Sequence, residues 1–336
     1  MENSRALVTG ANGHLGNNLV RHLLKQGNPV RASVRNPKNR APFEGLNCEV
    51  VHGDLMNKAS LVKALEGVDT LYQVAASFKL WAKNPQQEIY DVNMQGTRNV
   101  LEAAAAQGVR RVVYVSSIAA LNYAALPIKE SDGYNPDRRN MYYNSKNDSE
   151  KVAIDLAAKL NLELVAVLPS AMIGGEAFFL NESYRILAMV YLGKLPVESN
   201  IFLNWIDVKD VAAACVAAAT KGRAGERYIL ANEKSMGLSE TTALLQSLYP
   251  DLGLKVPPKV PRWFLYANAT LFELISKLTD TQPLLQRSDV EMFWGQRMDF
   301  DITKARTELG FAPKPPKIAV KEAAMYLRSH PQLLSA

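Results

Sequence analysis

The sequence predicts an α/β protein in which a doubly wound parallel sheet carries a smaller, mostly helical C-terminal cap. Short apolar runs alternate with longer helical patterns over residues 1–170, and a glycine-rich turn joins the first strand to the first helix. After Ser170 this regular alternation stops. Strands separated by crossover helices form a parallel sheet covered on both faces. Right-handed crossovers then give a doubly wound, nucleotide-binding (Rossmann) fold.

The elements of this sheet are predicted in chain order. The first strand is "RALVTG", and the helix after it places Leu15, Leu19 and Leu23 on one stripe and ends at Gly27. The later strands are predicted in "NPVRASVR", "NCEVVHGD", "DTLYQVAAS", "VRRVVYVSS" and "LELVAVLPS". The intervening helices are predicted in "SLVKALEG", "QQEIYDVNMQGTRNVLEAAAAQG" and "YYNSKNDSEKVAIDLAAKLN".

The chain beyond residue 170 divides into three parts. Residues 171–202 and 236–300 are predicted to form the substrate-binding cap, and residues 203–235 to return to the sheet as a strand end, a helix and the strand "ERYILA". Residues 301–336 are expected to form a closing strand and helix. The helix from Trp263 to Leu278 is interpreted as a cap helix buried on one face. A role at a membrane surface or in docking a partner is disfavoured because its polar face carries few basic residues.

Composition narrows the class of function. The chain has 336 residues, with 39 basic against 33 acidic and a net charge of +6. The basic residues are dispersed, so nucleic-acid binding is not expected. Two separated cysteines and four unclustered histidines indicate neither a disulfide framework nor a metal site. No apolar run reaches the ~18 residues of a membrane span and the start shows no leader, so a cytoplasmic location without stable membrane insertion is expected.

A glycine loop follows the first strand directly. Gly10, Gly13 and Gly16 lack Cβ atoms, so the loop can turn tightly and let backbone N–H groups approach a pyrophosphate. The helix N-terminus adds positive potential there. The loop is therefore predicted to bind a dinucleotide, with Asn12, His14 and Leu15 as its other members.

A tyrosine and a lysine one helical turn apart form a candidate acid. Tyr142 and Lys146 are at i and i+4, so they share a helix face, and the ammonium is expected to pull the pKa of the phenol towards neutrality. Tyr143 points about 100° away around the helix. Spacing thus selects Tyr142 as the proton donor and leaves Tyr143 as a packing or pocket-wall residue.

With the glycine loop and this YxxxK pair, the chain resembles the extended short-chain dehydrogenase/reductases, the NAD-dependent epimerase/dehydratase family. The resemblance spans nearly the whole chain, through "TGANGHLG", "HGDL", "NMQGTRNVLEAA", "VVYVSS", "YYNSK" and "WIDVKDVAAA". Within the family the chain is most similar to the dihydroflavonol-4-reductase-like group, including the bacterial hopanoid-associated sugar-epimerase homologues. The resemblance implies that Ser117 holds the substrate oxygen, that Lys146 also contacts the nicotinamide ribose, and that Asn93 gives structural support or relays water.

The end of the second strand favours NADP(H) over NAD. An acidic residue there would bind the ribose 2′-hydroxyl, whereas this chain has Arg35, with Lys38 and Ser33 as helpers. The resemblance to the reductases makes Arg35 the 2′-phosphate ligand. It further implies that Asp54 and Leu55 lie beside the adenine, Ala75 and Ala76 along the ribose, and Pro169 and Met172 over the nicotinamide.

Aromatic residues cluster in the segments that should frame the substrate. Phe78, Trp81, Tyr123 and Phe178, together with Ser117 and Tyr142, are predicted to line a pocket for an apolar or aromatic carbonyl compound. The expected activity is NADPH-dependent reduction of a ketone or aldehyde. Two alternatives stay open: a nucleotide-sugar epimerase or dehydratase that retains its cofactor, and a non-catalytic NADP(H)-sensing protein. A monomer or homodimer is expected.

Overall fold

The computed structural model describes residues 5–79 and 81–334. The strands are β1 (Ala6–Thr9), β2 (Val30–Val34), β3 (Glu49–His52), β4 (Thr70–Gln73), β5 (Arg111–Val115), β6 (Glu163–Pro169), β7 (Ala171–Ile173), β8 (Phe202–Leu203), β9 (Trp205–Asp207), β10 (Arg227–Leu230) and β11 (Met236–Gly237). Seven of them form one parallel sheet in the order β10-β6-β5-β4-β1-β2-β3. The predicted doubly wound sheet is confirmed.

The helices lie between these strands and beyond them. They are α1 (His14–Lys25), α2 (Lys58–Ala64), α3 (Val92–Ala106), α4 (Met141–Lys159), α5 (Glu182–Tyr191), α6 (Val208–Lys221), α7 (Leu238–Leu248), α8 (Arg262–Thr279), α9 (Arg287–Phe293) and α10 (Pro316–Ser329). A π-helical turn, Gln86–Asp91, leads directly into α3. Helix α4 begins at a capping Asn140, whose side-chain oxygen accepts from the N–H groups of Tyr142 and Tyr143 at 3.0 and 3.3 Å.

Two apolar layers hold the helices on the sheet. Successive strand residues point to opposite faces, so Val113 packs in the layer with α1 and α6, while Val112 packs in the layer with α2, α3 and α4. Strand β1 pairs with both β2 and β4, and the strand order reverses there. Ligands of open α/β sheets bind at the carboxyl ends of the strands at such a point. The glycine loop opens at this crevice.

The cap has its own apolar core, and the C-terminal helix belongs to it. Tyr184 of α5, Trp205 of β9 and Leu245 of α7 are fully buried with Ala323 and Leu327 of α10. Strand β7 pairs with β9, and β8 with β11, in two small sheets. The expected closing strand is wrong for the described residues 301–334, which hold the π-helical turn Ala305–Leu309, α10 and a short 3₁₀ turn. Prolines at 313, 315 and 316 remove ladder donors from this segment.

Helix α8 departs from its interpretation as a helix buried in the cap. Only Leu265 and Ala269 of its 18 residues are buried, and Trp263 and Leu278 are 70% and 87% exposed. The sequence shows an apolar helix but cannot show whether a second apolar stripe has anything to pack against. In residues 5–79 and 81–334, no helix combines the length and hydropathy needed to cross a bilayer.

Candidate active site

The carboxyl ends of β1 and β4 are joined by the hydroxyl of Thr9. It accepts from the N–H groups of Val74 and Ala75 at 2.9 and 3.0 Å and donates to Gln73 Oε1 at 2.8 Å. The floor of the crevice is therefore fixed where the glycine loop leaves the sheet.

The glycine loop leaves the N-terminus of α1 open. Gly10 has φ +59°, and a Cβ there would lie 3.0 Å from Ala75 Cα, while a Cβ on Gly16 would collide with the Gly10 carbonyl. Helix α1 begins after Gly13 with no capping side chain and no acidic residue in its first turn. Its first N–H groups and its dipole are thus available to an anion such as a diphosphate.

Three other members of the loop face different surroundings. Asn12 is exposed, and Leu15 is buried in the apolar core beneath the sheet. The imidazole of His14 is buried between Gly174 and Asn181, with Nε2 2.6 Å from the Gly174 oxygen and Nδ1 2.7 Å from the Asn181 amide nitrogen. Burial lowers the pKa of His14 to about 4, so the neutral ring accepts at Nδ1 and donates at Nε2. The side chains of His14 and Leu15 thus pack away from the crevice, and only their backbone N–H groups are left for a ligand.

The end of β2 carries cations that make no ion pair or side-chain hydrogen bond within the described ranges. Arg35 and Lys38 are exposed. The Ser33 hydroxyl is buried without a hydrogen-bond partner, and it lies where a Cβ on Gly53 would fall. An orphaned buried hydroxyl beside two exposed cations and an uncapped helix suits a phosphorylated dinucleotide.

Most of the residues predicted to flank the adenine and the nicotinamide lie at or just after the carboxyl ends of strands of the parallel sheet. Asp54 is half-buried with Oδ1 accepting from Met56 N–H at 3.0 Å, and the Leu55 carbonyl accepts from Asn99 at 2.7 Å. Pro169 is buried at the end of β6, and Met172 is half-buried in β7. A small cavity brings Ala75 and Ala76 together with Asn93 and Lys146; it is also lined by Gln73, Thr97, Tyr114, Val115 and Ser149.

Ser117 and Ser116 contact different residues of α4. The Ser117 hydroxyl neighbours the phenol of Tyr142 and opposes the rise in its pKa, although burial dominates and raises that pKa to about 12. The Ser116 hydroxyl donates instead to the buried Glu150. Of the two serines, Ser117 is the one that shares a site with Tyr142.

Lys146 is buried behind this pair. Its Nζ donates to the Val115 carbonyl at 3.0 Å, and burial lowers its pKa to about 8 while the Glu150 carboxylate opposes that change. The expected shift of the Tyr142 pKa towards neutrality is wrong for this structure. Burial raises the pKa of the Tyr142 phenol, and the Ser117 hydroxyl opposes this rise only in part. Burial also destabilises the charge of Lys146.

Asn93 braces the loop after β4. Its Oδ1 accepts from Ser77 N–H at 2.7 Å, and its Nδ2 donates to the Ser77 carbonyl at 3.1 Å and to Ser145 Oγ at 2.9 Å. The amide is fully engaged in linking this loop to α4, one residue before Lys146. Structural support accounts for all of these contacts.

Aromatic rings surround the phenol. The ring centroids of Phe78 and Tyr142 lie 5.0 Å apart, and the Tyr123 hydroxyl donates to the Ile118 carbonyl at 3.0 Å beside them. Tyr143 packs edge-on against Tyr142, with ring centroids 6.0 Å apart, and in a tilted arrangement against Phe293 of α9 at 5.6 Å. Trp81 is half-buried and Phe178 is exposed before α5; neither makes a ring contact with Tyr142 in the described structure.

Sequence reasoning missed two contacts that support the site, the ion pair of Glu150 and the hydrogen bond between His14 and Gly174. The buried Glu150 pairs with Arg227 of β10, and the same carboxylate accepts from Ser116 and acts on Lys146. Glu150 lies at i+4 from Lys146, so helical spacing places it on the same face of α4 as Tyr142 and Lys146. This spacing could have identified Glu150 from the sequence. The contact of His14 with Gly174 spans 160 positions, and no local pattern announces it.

Comparison with known proteins identifies the family. The profile of the NAD dependent epimerase/dehydratase family matches residues 6–231. A putative dihydroflavonol 4-reductase of Synechocystis sp. is 33% identical, over 96% of this chain and 94% of that protein. Sterol demethylase protein B of Methylococcus capsulatus is 30% identical, over 96% and 98%. The yeast methylglyoxal/isovaleraldehyde reductase Gre2, solved with NADPH, has the same fold, with a TM-score of 0.76, 21% identity and coverage of 98% and 99%. The chain belongs to the NAD-dependent epimerase/dehydratase family and has the extended short-chain dehydrogenase/reductase fold.

Proposed function

We propose that this member of the NAD-dependent epimerase/dehydratase family is an NADPH-dependent reductase of a ketone or aldehyde group on an apolar or aromatic small molecule. One observation carries the proposal: the phenol of Tyr142 has the Ser117 hydroxyl beside it and the Phe78 ring against it. A proton donor, a hydrogen-bonding hydroxyl and an apolar wall are what the reduction of such a carbonyl needs.

The chain's own groups suit NADP(H). The open N-terminus of α1 would take the diphosphate, and Arg35 with Lys38 would take the 2′-phosphate. The buried Ser33 hydroxyl, which has no partner, is a further donor at that end of the crevice. When bound, the dinucleotide supplies the hydride.

Tyr142 is the proposed acid. With a pKa of about 12, the phenol keeps its proton throughout the neutral range and can release it only to an oxygen that is gaining negative charge. Ser117 would hold that oxygen by a hydrogen bond, and the protonated Lys146 would stabilise the phenolate left behind. Phe78 and Tyr123 would exclude water from the phenol, which strengthens each of these interactions.

The relatives support an apolar substrate without naming it. The two curated relatives above are named for a dihydroflavonol and for a sterol, both polycyclic compounds with little charge. The rings around Tyr142 have the matching character.

The runner-up is a nucleotide-sugar epimerase or dehydratase with a retained cofactor. The name of the family favours it, and the same fold serves both activities. The end of β2 opposes it, because Arg35 stands where a retained NAD would favour an acidic residue.

The loss of NADPH absorbance across a panel of dihydroflavonols, aromatic aldehydes and steroid ketones tests the proposal. Carbonyl-dependent oxidation of NADPH is the expected result. Epimerisation of a UDP-sugar with no net change in the cofactor would instead establish the runner-up. Binding of NADPH with neither reaction would indicate a sensing protein.

The cofactor preference has its own test. Arg35→Asp should weaken NADPH relative to NADH by roughly tenfold or more, because a charge-assisted bond to the 2′-phosphate is replaced by repulsion. Arg40→Asp, a change of the same charge in the same exposed loop, is the matched control and should alter the ratio far less. Equal effects of the two variants would contradict the assignment of Arg35 as the specific ligand of the 2′-phosphate.

A further inference from the structure

The outer face of α8 is an unusual surface for a helix of the cap. Six large apolar side chains on it are exposed to solvent: Trp263, Phe264, Leu271, Leu274, Ile275 and Leu278. Leu284, in the turn after the helix, extends the patch and is 84% exposed. Soluble monomers rarely expose a contiguous apolar surface of this kind unless it binds something.

The packing of α8 does not account for this face. Leu265 and Ala269 form the inner stripe and pack against Val290 of α9. Trp263, Leu271 and Leu278 lie about 100–180° around the helix from that stripe, at the spacing of a second apolar face. One side of α8 therefore serves the core, and the other has no cover within the described residues.

The two ends of α8, with the segment that leads into it, carry net positive charge. Lys255, Lys259, Arg262 and Lys277 form no ion pair with any other residue in 5–79 and 81–334. The two acidic residues of this region are neutralised within the chain: Glu273 pairs with Arg287 at 2.8 Å, and Asp280 pairs with Lys83.

We propose that the outer face of α8 docks on an anionic lipid surface, with the helix lying in the plane of the interface. An apolar face with aromatic rings at one end, on a helix with unpaired cations at its ends, fits the pattern of interfacial helices. Cations near an anionic lipid surface add electrostatic attraction to the burial of apolar side chains. A second copy of the chain fits less well, because a symmetric contact through this face would bring the cationic ends of the two helices together.

The face lies next to the site without being part of it. Helix α9 follows α8, and its Phe293 packs on Tyr143. Asp280, at the end of α8, is tied to Lys83 in the segment that follows Phe78. Docking would hold the aromatic residues around Tyr142 close to the lipid, which is where an apolar substrate concentrates. The docking itself does not depend on the proposed reaction.

Co-sedimentation of the full chain with vesicles tests the proposal. The protein should bind vesicles of equal parts phosphatidylglycerol and phosphatidylcholine, and should bind vesicles of phosphatidylcholine alone at least tenfold more weakly. Bound protein should show a blue-shifted tryptophan emission that the Trp263→Phe variant lacks. Failure to bind anionic vesicles at low salt would overturn the proposal.

Matched variants assign the binding to this face. Leu271→Ser combined with Leu278→Ser should weaken vesicle binding by roughly tenfold or more, since apolar area leaves the lipid. Met325→Ser, at a residue of α10 that is 53% exposed, should leave it unchanged. Both side chains of the double variant are already exposed, so its unfolding transition should match that of the wild type. If light scattering instead found a dimer that the double variant dissociates, the face would join two copies and the lipid proposal would be wrong.

Discussion

At the scale of single residues, Tyr142 and Tyr143 are adjacent and both buried, yet they have different neighbours. Tyr142 has Ser117 and Phe78 beside it, and Tyr143 has Phe293. Tyr142→Phe should lower kcat for carbonyl reduction by about 10²–10⁴-fold, the usual range for a lost general acid. Tyr143→Phe keeps the ring that packs and should leave kcat within about twofold of the wild type. Steady-state kinetics with the best substrate of the panel measures both, and equal losses would contradict the assignment.

The pKa of Lys146 predicts the pH dependence of the reaction. Burial lowers that pKa to about 8, so the lysine loses its charge, and its support for the phenolate, as pH rises through that value. We expect kcat/KM for reduction to fall above about pH 8, well below the pKa of Tyr142. A flat profile to pH 10 would show that the charge on Lys146 is not needed.

Glu150→Gln is the companion test of that profile. The Glu150 carboxylate raises the pKa of Lys146 against the effect of burial. Its removal should move the falling limb of kcat/KM to lower pH, whereas a variant that merely loosened the fold would lower the whole curve without moving the midpoint. Loss of the pair with Arg227 should also lower the free energy of unfolding, because a buried guanidinium would lack its partner.

Sequence reasoning predicted relations between residues that are close together in the chain, and it failed for properties that depend on the folded structure. Helical spacing related Tyr142 to Lys146, and strand alternation allowed only one of Ser116 and Ser117 to face the site. The pKa values escaped it, because they follow from how deeply each group is buried, and burial is a property of the assembled chain. For the same reason, the orphaned hydroxyl of Ser33 could be named as a helper but not recognised as buried without a partner.

At the scale of elements, His14 links the phosphate-binding end of α1 to the cap. Its imidazole bonds the Gly174 carbonyl and the Asn181 amide, which caps α5. His14→Leu keeps the volume but removes the donor to the buried Gly174 carbonyl and one of the two acceptors of the Asn181 amide. The expected cost is about 1–3 kcal/mol in the free energy of unfolding. Denaturant titration measures it. His22→Leu, two turns along the same helix and half-buried, should cost less than about 0.5 kcal/mol.

The pKa of His14 also predicts how the free energy of unfolding changes at acid pH. Its pKa falls from 6.5 to about 4 on folding. As pH is lowered, the imidazole is therefore protonated in the unfolded chain before it is protonated in the folded one. Stability from this group is complete above pH 6.5 and is lost as pH falls towards 4. His14→Leu should flatten that part of the stability profile, and an unchanged slope would assign the acid sensitivity to other groups.

Helix α8 shows why an element can be predicted while its environment is not. Its apolar periodicity predicted a helix over Trp263–Leu278, and the helix runs from Arg262 to Thr279. Periodicity also predicted a buried face, which exists only as Leu265 and Ala269. Nothing in a local pattern states how many faces of a helix the rest of the chain can cover, so the exposed stripe was visible only in three dimensions.

At the scale of the whole molecule, the sheet follows from the sequence because each strand and crossover is local. The cap does not, since its core joins segments from residue 173 to residue 333. Lys314 is one of the residues that connect these segments. Its ammonium donates to the carboxylates of Asp207 and Glu322, each at 2.7 Å, and so links the start of α6 to α10. Such contacts connect distant segments, and sequence spacing carries no record of them.

The position of α10 in that core gives the last prediction. Leu327 is fully buried among cap residues that come some 80–150 positions earlier, and Met325, two residues away on the same helix, is 53% exposed. Leu327→Ala should lower the free energy of unfolding by about 2–5 kcal/mol, because it removes buried methyl groups and leaves a cavity. Met325→Ala should change it by less than about 0.5 kcal/mol. Denaturant unfolding of both variants measures the difference; similar small effects would mean that α10 is an appendage of the cap and that the cap core closes without it.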